Sequence, residues 1–153
     1  MDFFVRLRWI ALTILLIVVG CTPQLSAKEK LDECTKLASF GNSSIEPNIF
    51  GTDSKSFNKT ADNFELNARY LREAKFRDAG IKNSAEQLAL LNEKNADAAR
   101  ELGKTVDKLN QKVGDPELLD RLQKQGGELT KIGDEITALV NAQLDRCPNR
   151  KSI

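Results

Sequence analysis

Residues 83–117 read NSAEQLALLNEKNADAARELGKTVDKLNQKVGDPE, and this stretch decides the fold. Ala85, Leu88, Asn92, Asn95, Ala99, Leu102, Val106, Leu109 and Val113 recur three and four residues apart, so in a helix they share one face, with Leu91 flanking the seam. Asn83 and Glu86 stand at capping-box spacing and mark the start of that helix. Its end is written in Gly114-Asp115-Pro116-Glu117. Glycine suits the turn after a helix, aspartate caps the next one, and proline fits N1, where its missing N–H costs nothing.

Outward from this boundary the chain keeps the same period. The helix after Pro116 runs to about Arg146, with Leu122, Leu129, Ile132, Ile136 and Leu139 as its stripe, and Pro148 stops it. Upstream, Phe57, Ala61, Phe64, Ala68 and Leu71 form another stripe on a helix starting near residues 52–54, and Gly80 suits the left-handed position after its end. A brief amphipathic stretch carries Leu31, Cys34, Leu37 and Ala38, and Gly41-Asn42-Ser43-Ser44 ends it. A loop of about a dozen residues follows, with Ile45, Ile49 and Phe50 as contacts onto the core. No strand-like alternation occurs. The expectation is an all-α, antiparallel up-down-up-down bundle, with three helices of about 26–31 residues and one short N-terminal helix.

The N-terminus has a different grammar. Arg6 and Arg8 precede an apolar run from Trp9 to Val19, which is of signal-peptide length and too short to span a bilayer. It closes on Val18-Val19-Gly20-Cys21, which resembles the lipobox of bacterial lipoproteins. The resemblance implies that residues 1–20 are removed and that Cys21 carries acyl chains, palmitate among them, which hold the chain to a lipid bilayer. It also implies an extracytoplasmic location. Thr22, unlike the aspartate that retains some lipoproteins in an inner membrane, points to the periplasmic face of an outer membrane. The domain reading is then a signal peptide over 1–20, a lipidated tether over 21–30, a bundle over 31–147 and a tail over 148–153.

Charge and cysteine content follow that division. Of 23 basic and 22 acidic residues, a signal ending at Gly20 takes Arg6, Arg8 and Asp2, leaving 21 of each. A neutral domain has no electrostatic footprint for nucleic acid, and it lacks the polybasic segment that would add attraction to anionic lipid. With Cys21 consumed by lipid, the remaining Cys34 and Cys147 make an even pair, and export implies an oxidising compartment in which they join. Such a bridge places Cys34, Cys147 and the Gly80 turn at one end. That end faces the membrane, and the Gly114-Asp115-Pro116 turn points away.

Candidate chemistry is sparse. There is no histidine, and the only tryptophan, Trp9, falls in the signal, so the commonest general base and metal ligand is missing. Leu102-Gly103-Lys104-Thr105 imitates the end of a phosphate-binding loop, but it sits mid-helix with Ala98 where the first glycine belongs. Asp62 and Glu65, or Asp134 and Glu135, read as a solvated face paired with lysines at i,i+4 rather than as a catalytic pair. Asn92 and Asn95 on the apolar seam either fix helix register or form a polar ligand patch, and register is the expected role. Leu66 and Tyr70 lie opposite the Phe57 stripe and either pack on the first helix, the preferred reading, or form an exposed patch. Gly126 and Gly133 share a heptad position with Val140 and Cys147. They either line a shallow channel for the first helix and the loop around Ile49 and Phe50, or are tolerated at the surface. The acceptor patterns at Asn42 and Asn58 are common by chance.

No catalytic, cofactor or metal residues are assigned. The functional expectation is a non-enzymatic scaffold or accessory subunit with an envelope protein as partner. The alternative is a carrier or sensor of a small apolar ligand, held near Phe57, Phe64 and Leu88 in a cavity lined by Ala61, Ala68 and Ala99.

Overall fold

A computed structural model describes residues 25–43 and 53–148 of the 153-residue chain. Four helices follow one another: α1 (Ala27–Ser43), α2 (Ser54–Glu73), α3 (Ala79–Gln111) and α4 (Pro116–Leu144). The described residues contain no strand. The signal segment, Cys21, the loop residues Ile45, Ile49 and Phe50, and the tail from residue 149 lie outside the described residues.

The helices alternate in direction. Cys34 bonds Cys147 and Gly41 lies against Val140, so α1 descends beside an ascending α4. α2 ascends and α3 descends, because Ser54 N–H donates to Asp107 while Arg72, near the other end of α2, reaches Glu86 and Glu93. The all-α up-down-up-down bundle is as expected. At 20 residues α2 is shorter than its pattern suggested, and at 33 residues α3 is longer. α3 is the hub, packing along both α2 and α4, while α1 touches the other three near one end.

The α2 stripe is buried where periodicity placed it, at Phe57, Ala61, Phe64, Ala68 and Leu71; on α4, Leu129, Ile132 and Ile136 are buried, and Leu122 and Leu139 are half-buried. Along α3, Ala85, Leu88, Asn92, Asn95, Ala99 and Leu102 are buried, and Val106 and Leu109 are half-buried. Val113 is 90% exposed, because α3 ends at Gln111 and the seam ends with it. Gly114 has φ 82°, and Asp115 accepts from the N–H groups of Glu117 and Leu118, as the boundary motif requires.

Three helix ends differ from the pattern. α3 is capped by Asp78, whose carboxylate accepts from Gly80 and Ile81 N–H, rather than at Asn83. Gly80 is therefore inside the first turn of α3, not in a left-handed cap of α2; α2 ends at Glu73 with Ala74 extended. α1 begins at Ala27, inside the expected tether. Ser26 and Glu29 close a capping box there, Ser26 N–H donating to Glu29 at 2.9 Å and Glu29 N–H to Ser26 Oγ at 3.3 Å. At its other end α1 continues through Gly41 to Ser43.

Glycine marks two close approaches. A Cβ at Gly103 would lie 2.8 Å from the Phe57 Cβ and 3.1 Å from the Ser54 Cα, so α2 starts directly against the α3 backbone. A Cβ at Gly41 would collide with Val140. The channel expected at Gly126 and Gly133 is not one for α1: no described atom lies within 4 Å of a Cβ at either, and the helix uses its own Gly41 instead. Gly103→Val should cost about 1–3 kcal/mol, since backbone stands in the way. Gly127→Ala and Gly133→Ala, which meet open space, should each gain about 0.5–1 kcal/mol. Urea unfolding of the three variants checks this opposition of sign.

Cys34 and Cys147 are joined and buried, with Cα atoms 6.2 Å apart across 113 residues of sequence. Closing so long a loop removes unfolded-state entropy worth about 4–5 kcal/mol in the chain-entropy description. Replacing both with serine should lower the unfolding free energy by an amount of that order, read from the urea midpoint together with the slope, which should rise because the unfolded chain without the bridge exposes more surface.

Candidate functional site

The end of the bundle that carries the disulfide is the most constructed part of the surface. Glu33 of α1 reaches the α2–α3 connection and accepts from the N–H groups of Arg77 and Asp78, at 3.0 Å each. Arg77 pairs with Glu29 at 3.0 Å, and Lys30 with Asp78 at 3.1 Å. Phe76, off the α2 stripe in sequence, is buried in this connection, with the Lys36 ammonium 5.7 Å above its ring. α1 therefore supplies a carboxylate to N–H groups just ahead of α3, while Asp78 caps the helix itself.

Open grooves run along the outer surface of the described residues, two of them lined by charged side chains. One, of about 610 Å³, runs between α2 and α3 and is lined by Glu65, Arg69, Arg72, Glu73, Glu93 and Asp97. Arg72 holds Glu93 and Glu86, and Arg100 holds Glu65 and Asp62. Asp62 and Glu65 thus converge on an arginine of the neighbouring helix rather than on lysines of their own, which corrects the i,i+4 expectation. The second groove, of about 530 Å³ between α3 and α4, mixes Lys94 and Lys131 with Asp97, Glu101, Glu128 and Glu135.

Carboxylates whose pKa moves, move down. The Arg100 guanidinium holds Glu65 below its ordinary value, and Arg72 does the same for Glu93. Hydrogen bonds from Ser26, with Arg77 beside it, take Glu29 to about 2. Asp78 is lowered by the Ile81 N–H and by Lys30. These are groups fixed in the charged form, the reverse of a carboxyl raised to act as an acid. Among the described residues no three His, Cys, Asp or Glu side chains are grouped to hold a metal ion.

The remaining candidates fall as follows. Gly103, in the loop-like Leu102-Gly103-Lys104-Thr105, is buried in mid-helix, with its neighbouring amides committed to α3. Asn92 and Asn95 are buried, but Asn92 donates to Leu88 of its own helix, and neither Oδ1 has a partner. The buried bond that crosses helices is Ser84 to Gln143, at 2.9 Å. Leu66 and Tyr70 are 39% and 46% exposed, which corrects the reading of them as inward packing. Residues 102–105 and the asparagine pair therefore form no shared centre. The arginine clamps were missed because partners on different helices leave no local spacing. The Ser26–Glu29 box did leave one.

No protein-family model matches the chain, and no significant match appears among curated proteins or solved structures. No described helix is long and apolar enough to cross a membrane.

The clamps make stability pH-dependent. Folded pKa values below the unfolded ones mean that the contribution is complete above about pH 4–4.5 and disappears as pH falls through the folded values, about 2 for Glu29. The melting temperature should therefore hold from neutral pH to about pH 5 and drop below pH 4. Arg72→Gln should cost under about 1 kcal/mol at neutral pH, its pairs being partly exposed, and converge with the parent in acid. Thermal melts followed by far-UV circular dichroism across that range check both.

Proposed function

We propose that the chain is a lipid-anchored extracytoplasmic lipoprotein whose helical bundle serves as a non-enzymatic scaffold or accessory subunit of an envelope complex. The observation that carries this reading is the Val18-Val19-Gly20-Cys21 lipobox standing six residues ahead of the first residue of α1. Six residues span at most about 20 Å, so an anchor at Cys21 keeps the bundle against the bilayer. The chain enters α1 at the end that holds the disulfide and the Glu33 clamp, so this end faces the lipid. The Gly114 turn then stands roughly one α4 length away, about 44 Å. Two joined cysteines suit the oxidising compartment that export implies.

The scaffold role is supported by what the outer faces of the described residues offer: long helices with fixed ion pairs and open grooves. A carrier of apolar ligands needs room between α2 and α3, where Ala61, Phe64, Ala96 and Ala99 pack on one another. The periplasmic face of an outer membrane is the proposed location, on the strength of Thr22 after the cysteine.

In bacterial cells that process lipoproteins, the full chain should incorporate labelled palmitate and fractionate with membranes. Cys21→Ser should lose the label and release the protein from the membrane fraction. Unlabelled full chain, or label retained by Cys21→Ser, overturns the anchor.

A further inference from the structure

One side of α2 has no neighbour among the described residues. Its inner side is buried, and the flank facing α3 is tied down by Arg72 and by Arg100, which draws in Glu65 and one oxygen of Asp62. The outward side presents Lys59, Asp62, Asn63, Leu66 and Tyr70, with Arg69 and Glu73 at the rim of the α2–α3 groove, all exposed. Among the described residues Lys59, Arg69 and Glu73 form no ion pair, although the Arg69 charge also acts on the neighbouring Glu65.

The order of these residues is self-complementary about Leu66. Lys59 stands seven residues before it and Glu73 seven after, so the three share one line along the helix. Asp62 and Arg69 lie on the flank toward α3, and Asn63 and Tyr70 on the opposite flank. When such a face meets its own copy in antiparallel orientation, Leu66 meets Leu66, Lys59 meets Glu73, Asp62 meets Arg69, and Asn63 meets the Tyr70 hydroxyl. Each unlike pair occurs twice, and no like charges are opposed. A parallel arrangement would set Lys59 against Lys59 and Glu73 against Glu73.

We propose that this face of α2 is the contact by which two copies of the chain pair, antiparallel and two-fold about Leu66. The partner is a second copy because the exposed charges of this face, Lys59, Arg69 and Glu73 with no ion pair among the described residues and Asp62 with one oxygen beyond its bond to Arg100, are those the same face supplies in reverse order. A single helix face falls below the ~1,000 Å² of a stable interface, so the pair is weak and its charges decide it. The geometry belongs to α2 alone and does not depend on lipid at Cys21.

The test is oxidative crosslinking of the full chain in detergent solution, with the parent chain as control for its native cysteines. Leu66→Cys should yield a disulfide-linked dimer. Leu90→Cys, on α3 with comparable exposure of 47%, should remain monomeric. In the L66C background, Lys59→Glu sets like charges opposite each other twice and should lower dimer yield about tenfold. Adding Glu73→Lys should restore it, because both pairs are re-formed with signs exchanged. Equal crosslinking by L66C and L90C, no response to Lys59→Glu, or no rescue by the double reversal overturns the proposal. So does an L66C adduct with a different protein alone when envelopes are oxidised intact. Circular dichroism of each variant confirms that these surface changes leave the helices in place.

Discussion

The closeness of α2 to α3 is the constraint on which the rest of the molecule depends. Alanine and glycine make the contact: Ala61 and Ala68 on one side, Ala89, Ala96, Ala99 and Gly103 on the other, with Phe57, Phe64 and Leu71 filling between. Short side chains let two backbones approach until no Cβ would fit at Gly103. That proximity brings the outer edges of the helices within arginine reach, so Arg72 and Arg100 can each hold two carboxylates across the seam. Hydrophobic packing sets the distance, and the ion pairs exploit it. Partly exposed pairs of this kind add modest stability and much specificity of register.

α1 is attached by different means. It is the shortest helix, and its few contacts with each neighbour bury little surface. What holds it is concentrated at one end: a covalent bond to Cys147, the Glu33 carboxylate on two backbone N–H groups, and ion pairs to Arg77 and Asp78. Lower down, Gly41 admits Val140. Any pull transmitted through residues 21–26 is therefore delivered to the disulfide and to the start of α3, not to a sliding apolar face. On the proposed anchoring at Cys21, an attachment built this way suits the helix nearest the bilayer.

How far the sequence could be read depended on whether a feature was local. The Gly114-Asp115-Pro116 boundary was fully legible because glycine, cap and proline are consecutive and each has its own backbone reason. Cys34 and Cys147 could be paired by counting, since the expected lipid on Cys21 left no other partner. The start of α3 was misread: Asn83 and Glu86 imitate a capping box, while Asp78 lies beside a Gly80 that looked like a helix end. The start of α1 was legible at Ser26 and Glu29 but was masked by the polar composition around them. Leu66 and Tyr70 were ambiguous for a physical reason. Their exposure depends on where α1 lies, and α1 follows the seam toward α4 rather than the outer side of α2.

The sequence by itself determined the helical class, the stripes that turn inward, the antiparallel order imposed by short connections, and the pairing of cysteines. Each of these rests on periodicity or chemistry contained within a few neighbouring residues, or on simple counting. Only the tertiary structure decided which glycine admits another helix, which arginine holds which carboxylate, and which apolar residues face water. Those outcomes are set by the distance between helices, and that distance is fixed by the small side chains of α2 and α3 acting together across the chain.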